Sequence, residues 1–280
     1  MKKIIFITLM ALVTFNLFAV FNDYEPSVKA RAMGGTYTTL SDNADGIYYN
    51  PAGLNLAGNS ISLSSVALFG NSFSKINVAS FSTNLPQKVG TIAFGLKSFD
   101  STYQDVTLTS EKHYAIAHSI CILNDIHSKM YFGYAFNLYS LSIEGMGSQT
   151  SLGLNMGALA ILHQRTRIAF AVSNINNPKM GKDNSEDLPQ KFSIGISYLP
   201  YEGTTTAIDI KKEFGEATEI HAGTEIKLHK MFYLRAGIRN EPVSFSMGFR
   251  FSLYNVNIDY AYNSHTILGG TNHFGIGYKF

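Results

Sequence analysis

Tryptophan is absent from these 280 residues, and cysteine occurs once, at Cys121. A lone cysteine excludes a disulfide framework, a zinc knuckle and a CxxC redox pair. Charge is balanced as well as sparse: Lys+Arg 22 against Asp+Glu 20, with Lys2 and Lys3 in an N-terminal leader, so the remainder is formally neutral. No basic face for nucleic acid follows from that balance. Long apolar runs are missing too. Beyond the leader no stretch approaches the roughly 18 apolar residues of a membrane helix. Catalytic signatures do not occur: His113, His118, His127, His163, His221, His229, His265 and His273 form no HExxH, and there is no GxSxG elbow or phosphate-binding glycine loop. Asp259, His265 and His273 near the last hairpin come nearest to a catalytic cluster, and histidines in such positions are usually just solvated. The expectation is a non-enzyme without metal or cofactor.

What the chain does have begins with that leader. Lys2 and Lys3 precede an apolar Ile4–Val13, and Asn16-Leu17-Phe18-Ala19 ends in a small residue. This is the layout of a secretory signal peptide over 1–19, cleaved after Ala19. Gly 24, Tyr 16 and Phe 20 suggest many strands with aromatic faces. From residue 60 onward the dominant period is two, the period at which strand side chains alternate between faces. Val243, Phe245, Met247, Phe249, Phe251 and Leu253 alternate with Ser244, Ser246, Gly248, Arg250 and Ser252; Tyr254 to Asn263 repeats the pattern. Such segments fall at 60–69, 74–83, 88–99, 110–121, 129–143, 150–161, 165–174, 190–199, 203–212, 217–228, 230–239, 243–252, 254–263 and 271–280. An even count with short connections is the signature of an all-β fold, a transmembrane antiparallel β-barrel of about 14 strands. The connections expected to be longer are Asp100–Thr109, Glu144–Gln149, Ile175–Pro189 and Ser264–Gly270. Ile175–Pro189, with Lys179, Lys182, Asp183, Glu186 and Asp187, reads as a solvated outer loop. By parity Arg235, Arg239, Arg250, Asp209, Asp259, Glu225 and Lys227 face the lumen as cross-strand ion pairs, with Arg235 or Arg250 a candidate for a carboxylate head group.

At the end of the chain Phe274, Ile276, Tyr278 and Phe280 occupy alternate positions, and Phe280 is the final residue. This resembles the terminal β-signal by which the barrel assembly machinery recognises bacterial outer-membrane proteins. A soluble sandwich ending this way would leave an apolar edge exposed.

Between leader and first strand lies a segment that fits no strand. It contains Arg31-Ala-Met-Gly-Gly35, Asp42-Asn-Ala-Asp45 and Tyr48-Tyr-Asn-Pro-Ala-Gly53. These spaced motifs resemble the N-terminal signature of FadL-type outer-membrane proteins and the related PorV/PorQ-like group. The resemblance implies a fourteen-stranded barrel with an N-terminal hatch inside the lumen, residues 20–58, and a barrel over 59–280. The residues agree with that assignment: Gly34 and Gly35 permit positive φ or close approach to a wall, Asp42 and Asn43 can close Asx turns, and Pro51 keeps Asn50 out of helical geometry. With Arg31, Asp45, Ala52 and Gly53 they make the candidate gate. A fourteen-stranded barrel is wider than its own side chains fill, so a hatch has a physical role, either as a movable gate or as a permanent cork. Met33, Tyr37, Leu40, Ile47, Tyr48, Tyr49 and Leu54 could supply the hatch side of an apolar pocket.

Two functions remain open. The FadL-type resemblance implies passive uptake of a hydrophobic small molecule, such as a long-chain fatty acid, across the bacterial outer membrane. The PorV-like branch implies a platform for secreted or surface protein partners. Outer-membrane lipid would surround the barrel in both.

Overall fold

The computed structural model describes residues 25–280 apart from 71–72, 87–88, 105, 182–184 and 266–268. The leader expected over 1–19 lies outside the described residues. Fourteen antiparallel strands close into one barrel: β1 (Ser60–Ala67), β2 (Ser74–Leu85), β3 (Gly90–Tyr103), β4 (Val106–Asn124), β5 (Ser128–Ile143), β6 (Gly147–Leu162), β7 (Thr166–Ser173), then β10 (Lys191–Tyr198), β11 (Thr204–Glu213), β12 (Thr218–His229), β13 (Phe232–Asn240), β14 (Val243–Leu253), β15 (Val256–Asn263) and β16 (Thr271–Lys279). Two short strands, β8 (Lys179–Met180) and β9 (Glu186–Asp187), form a separate ribbon between β7 and β10. Closure is made by β1 on β16, in register from Ser60↔Lys279 to Ala67↔Asn272. Below, the end of the barrel where Ser60 meets Lys279 is the terminal end and the opposite one the distal end.

Period two decides which side of the wall is apolar. In β14, Val243, Phe245 and Met247 are exposed while Ser244 and Ser246 are buried. The same inversion recurs at Ile194 and Ile196 on β10 and at Phe274, Ile276 and Tyr278 on β16. An outward apolar face with a polar interior is stable when lipid, not water, is the outer solvent. Closure also pairs every strand edge within the band, which lipid could not satisfy. No helix of the described residues is long and apolar enough to cross a membrane; the crossing elements are strands.

Each expected window holds a strand, but some lengths differ. β3 runs on to Tyr103 and β4 begins at Val106, so Asp100–Thr109 is a continuation of the wall and not a long loop. Glu144–Gln149 likewise reduces to a tight turn between β5 and β6. The added stretches are rich in Ser and Thr, so apolar alternation fades there while backbone pairing continues. β3 to β6, the longest strands, thus rise as a palisade at the distal end. The Ile175–Pro189 connection is also not simply solvated. Met180 and Leu188 are buried against Tyr139 and Leu141 on the inner face of the palisade.

The described N-terminal residues form a short helix Val28–Ala32, 3-10 turns Ala44–Tyr48 and Pro51–Gly53, and a helical turn Leu54–Ala57. All four pack on the inward side of the wall. Asn43 and Asn50 start the two 3-10 turns, their side chains accepting from the backbone N–H of Asp45 and Ala52. Asn50 is extended (φ −141, ψ 100), as its position before Pro51 requires.

Candidate functional site

The site is the surface where the N-terminal segment meets the wall. At that level every barrel strand presents a small inward residue: Ser64, Ser80, Gly95, Ala117, Ala135, Gly157, Ala171, Gly195, Ala207, Gly223, Gly237, Gly248, Ala261 and Gly275, in order from β1 to β16. Several are direct cross-strand partners, including Ser64↔Gly275, Ala117↔Ala135, Ala207↔Gly223 and Gly223↔Gly237. The glycines are there for space. A Cβ at Gly95 would lie 2.6 Å from the Tyr48 hydroxyl, and one at Gly275 would lie 2.8 Å from Val28 Cγ2. At Gly133, Gly157, Gly223 and Gly237 it would overlap Pro51 and Ala52, Asn50, Met33, and Met33 with Gly34, respectively. The segment therefore follows the wall from β16 through β14, β13 and β12 to β10, and later meets β6, β5 and β3.

Specific hydrogen bonds fix it on this seat. Asp209 of β11 is fully buried, and its Oδ2 accepts from Tyr37 N (2.8 Å), Thr38 N (2.8 Å) and Thr38 Oγ1 (2.7 Å). Asn50 Nδ2 donates to the carbonyls of Thr38 (2.9 Å) and Ala158 (3.3 Å) while its Oδ1 accepts from Ala52 N. Ser119 Oγ donates to Ala52 O (2.9 Å). On the closing seam, Ser62 and Ser80 hydroxyls donate to Asp45, and Ser64 Oγ donates to Pro26 O. Gly34 (φ 68) and Gly35 (φ 92) take the left-handed backbone that their lack of a Cβ permits. Close approach constrains them as well: a Cβ on Gly34 would sit 2.6 Å from Ile238 N, and one on Gly35 2.5 Å from His221 Nδ1. His221 Nδ1 lies 2.6 Å from Gly34 O, and its Nε2 lies 2.7 Å from Glu219 Oε2.

The segment's carboxylates sit in different fields. Burial acts to raise Asp42, but Lys29 (2.8 Å) and Arg167 (3.5 Å) outweigh it and hold the carboxyl well below the usual range. Asp42 is thus an ion-pair partner, not the Asx turn expected. Asp45 is held instead by the Ser62 and Ser80 hydroxyls and the Asn43 amide. Burial raises its carboxyl above the usual value, with the Ser80 and Ser62 hydrogen bonds opposing. Burial likewise pushes the Tyr37 and Tyr48 phenols well above their usual value.

Two chambers flank the segment. The distal one, of about 90 Å³, is lined by Tyr48, Tyr49 and Tyr139 together with Lys97, His113, Asn155, Lys191 and Lys211. The terminal one, of about 410 Å³, is lined by Lys29, Asp42, Asp45, Arg167, Glu225, Arg250, Asp259 and Lys279 among others. Both carry charged side chains. Of the seven residues expected to line an apolar pocket, Met33, Tyr37, Leu40, Ile47 and Leu54 are instead sealed in packing, and only Tyr48 and Tyr49 reach a chamber. Their apolar surface is used up against the wall, Met33, Tyr37 and Leu40 with Ala207, Ile47 and Leu54 with Ala93, Ala115, Ala117 and Ala135.

The lumen charges divide by level. Arg235 bridges Glu225 (2.6 Å) and Asp259 (2.5 Å), and Arg250 pairs with Asp259 (2.9 Å), all on the terminal side. Both guanidinium groups expected for a carboxylate head group thus already hold carboxylates. Arg239 stands apart on the distal side of Gly237, opposite His221. Lys227 is exposed near Tyr233 at the terminal mouth. Asp259, His265 and His273 form no cluster: Asp259 is held by the arginines and His265 packs edge-on to Phe69. Arg31 places its Nε 3.7 Å from Glu25, and its carbonyl accepts from Asn263. Gly53 lies so close to Ser41 that a Cβ would overlap it. The inward Gly and Ala residues went unread as a set in the sequence. Their signal was present as small residues on the polar parity of consecutive strands.

No protein-family model and no curated protein matches this sequence. Solved structures do. The CymD monoaromatic hydrocarbon channel aligns with TM-score 0.63 at 12% identity, covering 93% of this chain and 99% of that one. The Pseudomonas putida toluene transporter TodX aligns with TM-score 0.60 at 12% identity, over 90% of this chain and 96% of that one. A Pseudomonas aeruginosa FadL homologue gives 0.56 at 12% identity, over 90% and 95%. The chain has the fold of the FadL-type outer-membrane channels.

Proposed function

We propose that this chain is a bacterial outer-membrane channel for a small hydrophobic compound, in which residues 20–58 act as a hatch across the lumen. The observation that carries the reading is the seat: a belt of small inward residues on all fourteen strands, cut to the shape of one segment, with a chamber on either side. The structural neighbours named as hydrocarbon channels and a toluene transporter support hydrophobic cargo. A long-chain fatty acid is the finer reading. An extended acyl chain exceeds a chamber of about 90 Å³, so its passage requires the hatch or the β7–β10 connection to move. The gate residues are then Gly34, Gly35, Asn50, Pro51 and Ala52, with Tyr48 and Tyr49 facing the cargo. Uptake of a fluorescent fatty acid and of a labelled monoaromatic hydrocarbon, by cells in which this chain is the sole channel of its fold, is the test. Uptake above vector cells supports it; uptake at vector level despite a folded barrel rejects it.

A second reading, a PorV-like platform that binds secreted or surface protein partners without transport, is favoured by the mainly polar lining of the terminal chamber. Lipid extraction of the purified protein followed by mass spectrometry, run beside in-cell crosslinking, separates the two. Bound hydrophobic compound favours the channel, and a specific protein adduct without one favours the platform.

A further inference from the structure

His221 is where the wall at β12 grips the Gly34-Gly35 turn. Its ring is buried, and both of its nitrogens face oxygens: Nδ1 lies 2.6 Å from the Gly34 carbonyl, and Nε2 lies 2.7 Å from Glu219 Oε2. A carbonyl and an ionised carboxylate only accept, so each contact needs its hydrogen on the ring. A neutral imidazole has one N–H and one lone pair. In either neutral tautomer a ring lone pair would therefore face an oxygen lone pair at hydrogen-bond distance. Moving the hydrogen from Nε2 to Glu219 leaves the count unchanged, because the pair still holds one proton more than a neutral imidazole beside a carboxylate. The turn is pressed against the ring, since a Cβ on Gly35 would sit 2.5 Å from Nδ1. Among the described residues no other donor reaches the Gly34 carbonyl.

Other charged groups surround the pair on every side. Asp209 and Lys211 of β11 stand opposite His221 and Glu219, and Arg239 of β13 stands opposite His221. The N-terminal segment adds Glu25, whose Oε1 shares the space beside Gly35, and Arg31, which lies 3.7 Å from Glu25. With Glu219 these are three carboxylates and three cations, so formal charge cancels and the two acceptors on the ring decide where the proton goes. Glu219 links the site to solvent, its side chain 32% exposed against 1% for His221. We propose that His221 and Glu219 form a proton-operated latch on the N-terminal segment. With the proton in place both bonds hold, and the segment is fastened at Gly34. When it leaves, the carboxylate keeps the remaining N–H as the stronger acceptor, and the Gly34 carbonyl is left facing a lone pair. Docking and proton uptake then favour each other, so the fastening holds at lower pH and loosens as pH rises. Histidine is the side chain that ordinarily exchanges a proton near neutral pH. Asp45 is a separate site, at the terminal chamber. The latch is independent of what the lumen passes.

The test uses the full-length protein in lipid nanodiscs and two readouts. Cleavage within residues 25–58 by a broad-range protease is measured relative to an unstructured peptide at the same pH, in wild type and in Glu219→Gln. A glutamine amide donates to the Nε2 lone pair, so in that variant a neutral His221 can keep its N–H on the Gly34 carbonyl. Between pH ~6 and pH ~9, relative cleavage should rise about tenfold in wild type and stay nearly level in Glu219→Gln, with heat-modifiable migration unchanged in both. Asp45 is the same in the two chains, so the difference between them belongs to the pair. Nitrogen NMR of the labelled histidine rings is the second readout, the signal missing in His221→Gln identifying the residue. At pH ~6 the wild-type signal should report no unprotonated ring nitrogen without a hydrogen-bonded proton, and at pH ~9 it should report one. Equal rises in wild type and Glu219→Gln, no rise in wild type, or a bare ring nitrogen at the lower pH overturns the proposal.

Discussion

Asp209 belongs to the wall, yet its Oδ2 is committed to the backbone of another segment, at Tyr37 and Thr38. Asp209→Ala leaves two buried N–H groups without a partner, at about 1–3 kcal/mol each. Since the barrel ladder is untouched, the loss falls on docking of the N-terminal segment. Limited proteolysis in detergent should cleave within residues 25–58 at least tenfold faster in Asp209→Ala, with heat-modifiable migration unchanged. Cleavage at the wild-type rate would mean that the segment is held by packing alone.

Two carboxylates of the segment, Asp42 and Asp45, respond to pH in opposite senses. Asp45, raised by burial, binds a proton when docked that it releases when free, in the window between its ordinary value, about 4, and its raised one. Docking therefore strengthens as pH falls through that window and weakens as it rises. Asp42 is depressed by Lys29 and Arg167, so its contribution is complete above the ordinary carboxylate value and is lost only in strong acid. Protection of the segment should rise from neutral pH toward pH ~4, and Asp45→Asn should flatten that rise. Protection that instead falls over this range in the wild type would refute the assignment.

At the scale of elements, the belt and the last strand carry separate predictions. Gly237 and Gly133 leave no room for a side chain, whereas a Cβ at Gly277 would be 3.7 Å from its nearest neighbour, an ordinary contact. Gly237→Leu should therefore dislodge the segment while Gly277→Ala leaves it protected, both barrels remaining closed. Overpacking of this kind costs about 1–3 kcal/mol, enough to shift docking by one to two orders of magnitude. Phe280 stacks on Phe81 and Tyr278 and donates its N–H to Asn59 O at the closing seam. We read the terminal Phe274, Ile276, Tyr278 and Phe280 as an assembly signal, so Phe280→Ala should lower folded yield in cells much more than Phe251→Ala. Equal yields would remove that role.

These elements also show what the sequence carries. Strand number and facing were legible because Val243 to Leu253 and its counterparts alternate without interruption, and period two has one structural meaning over so many residues. The turns at Asn43, Asn50 and Pro51 were legible from local chemistry. The palisade was not, because Ser and Thr from Ser98 to Ser110 pair through their backbone without an apolar stripe. Nor was the fate of Met33, Tyr37 and Leu54: whether an apolar side chain lines a cavity or fills one depends on the wall opposite, and Ala207, Ala117 and Ala135 lie far away in sequence. Two rows of residues, read separately, describe a segment and a wall; only their juxtaposition describes a seat.

For the whole molecule the account joins a closed fourteen-stranded barrel, a segment packed against its inner wall, and the fold of known hydrocarbon channels. Its central claim is that the seated N-terminal segment, and not the width of the barrel, controls passage. Ion conductance in planar bilayers addresses this most directly, because ions report an open lumen whatever the natural cargo. The wild-type protein should be electrically silent, and Gly237→Leu should show discrete openings at the same quantity of folded barrel. Steady conductance in the wild type, or silence in a Gly237→Leu protein whose segment is cleaved by protease, would contradict it.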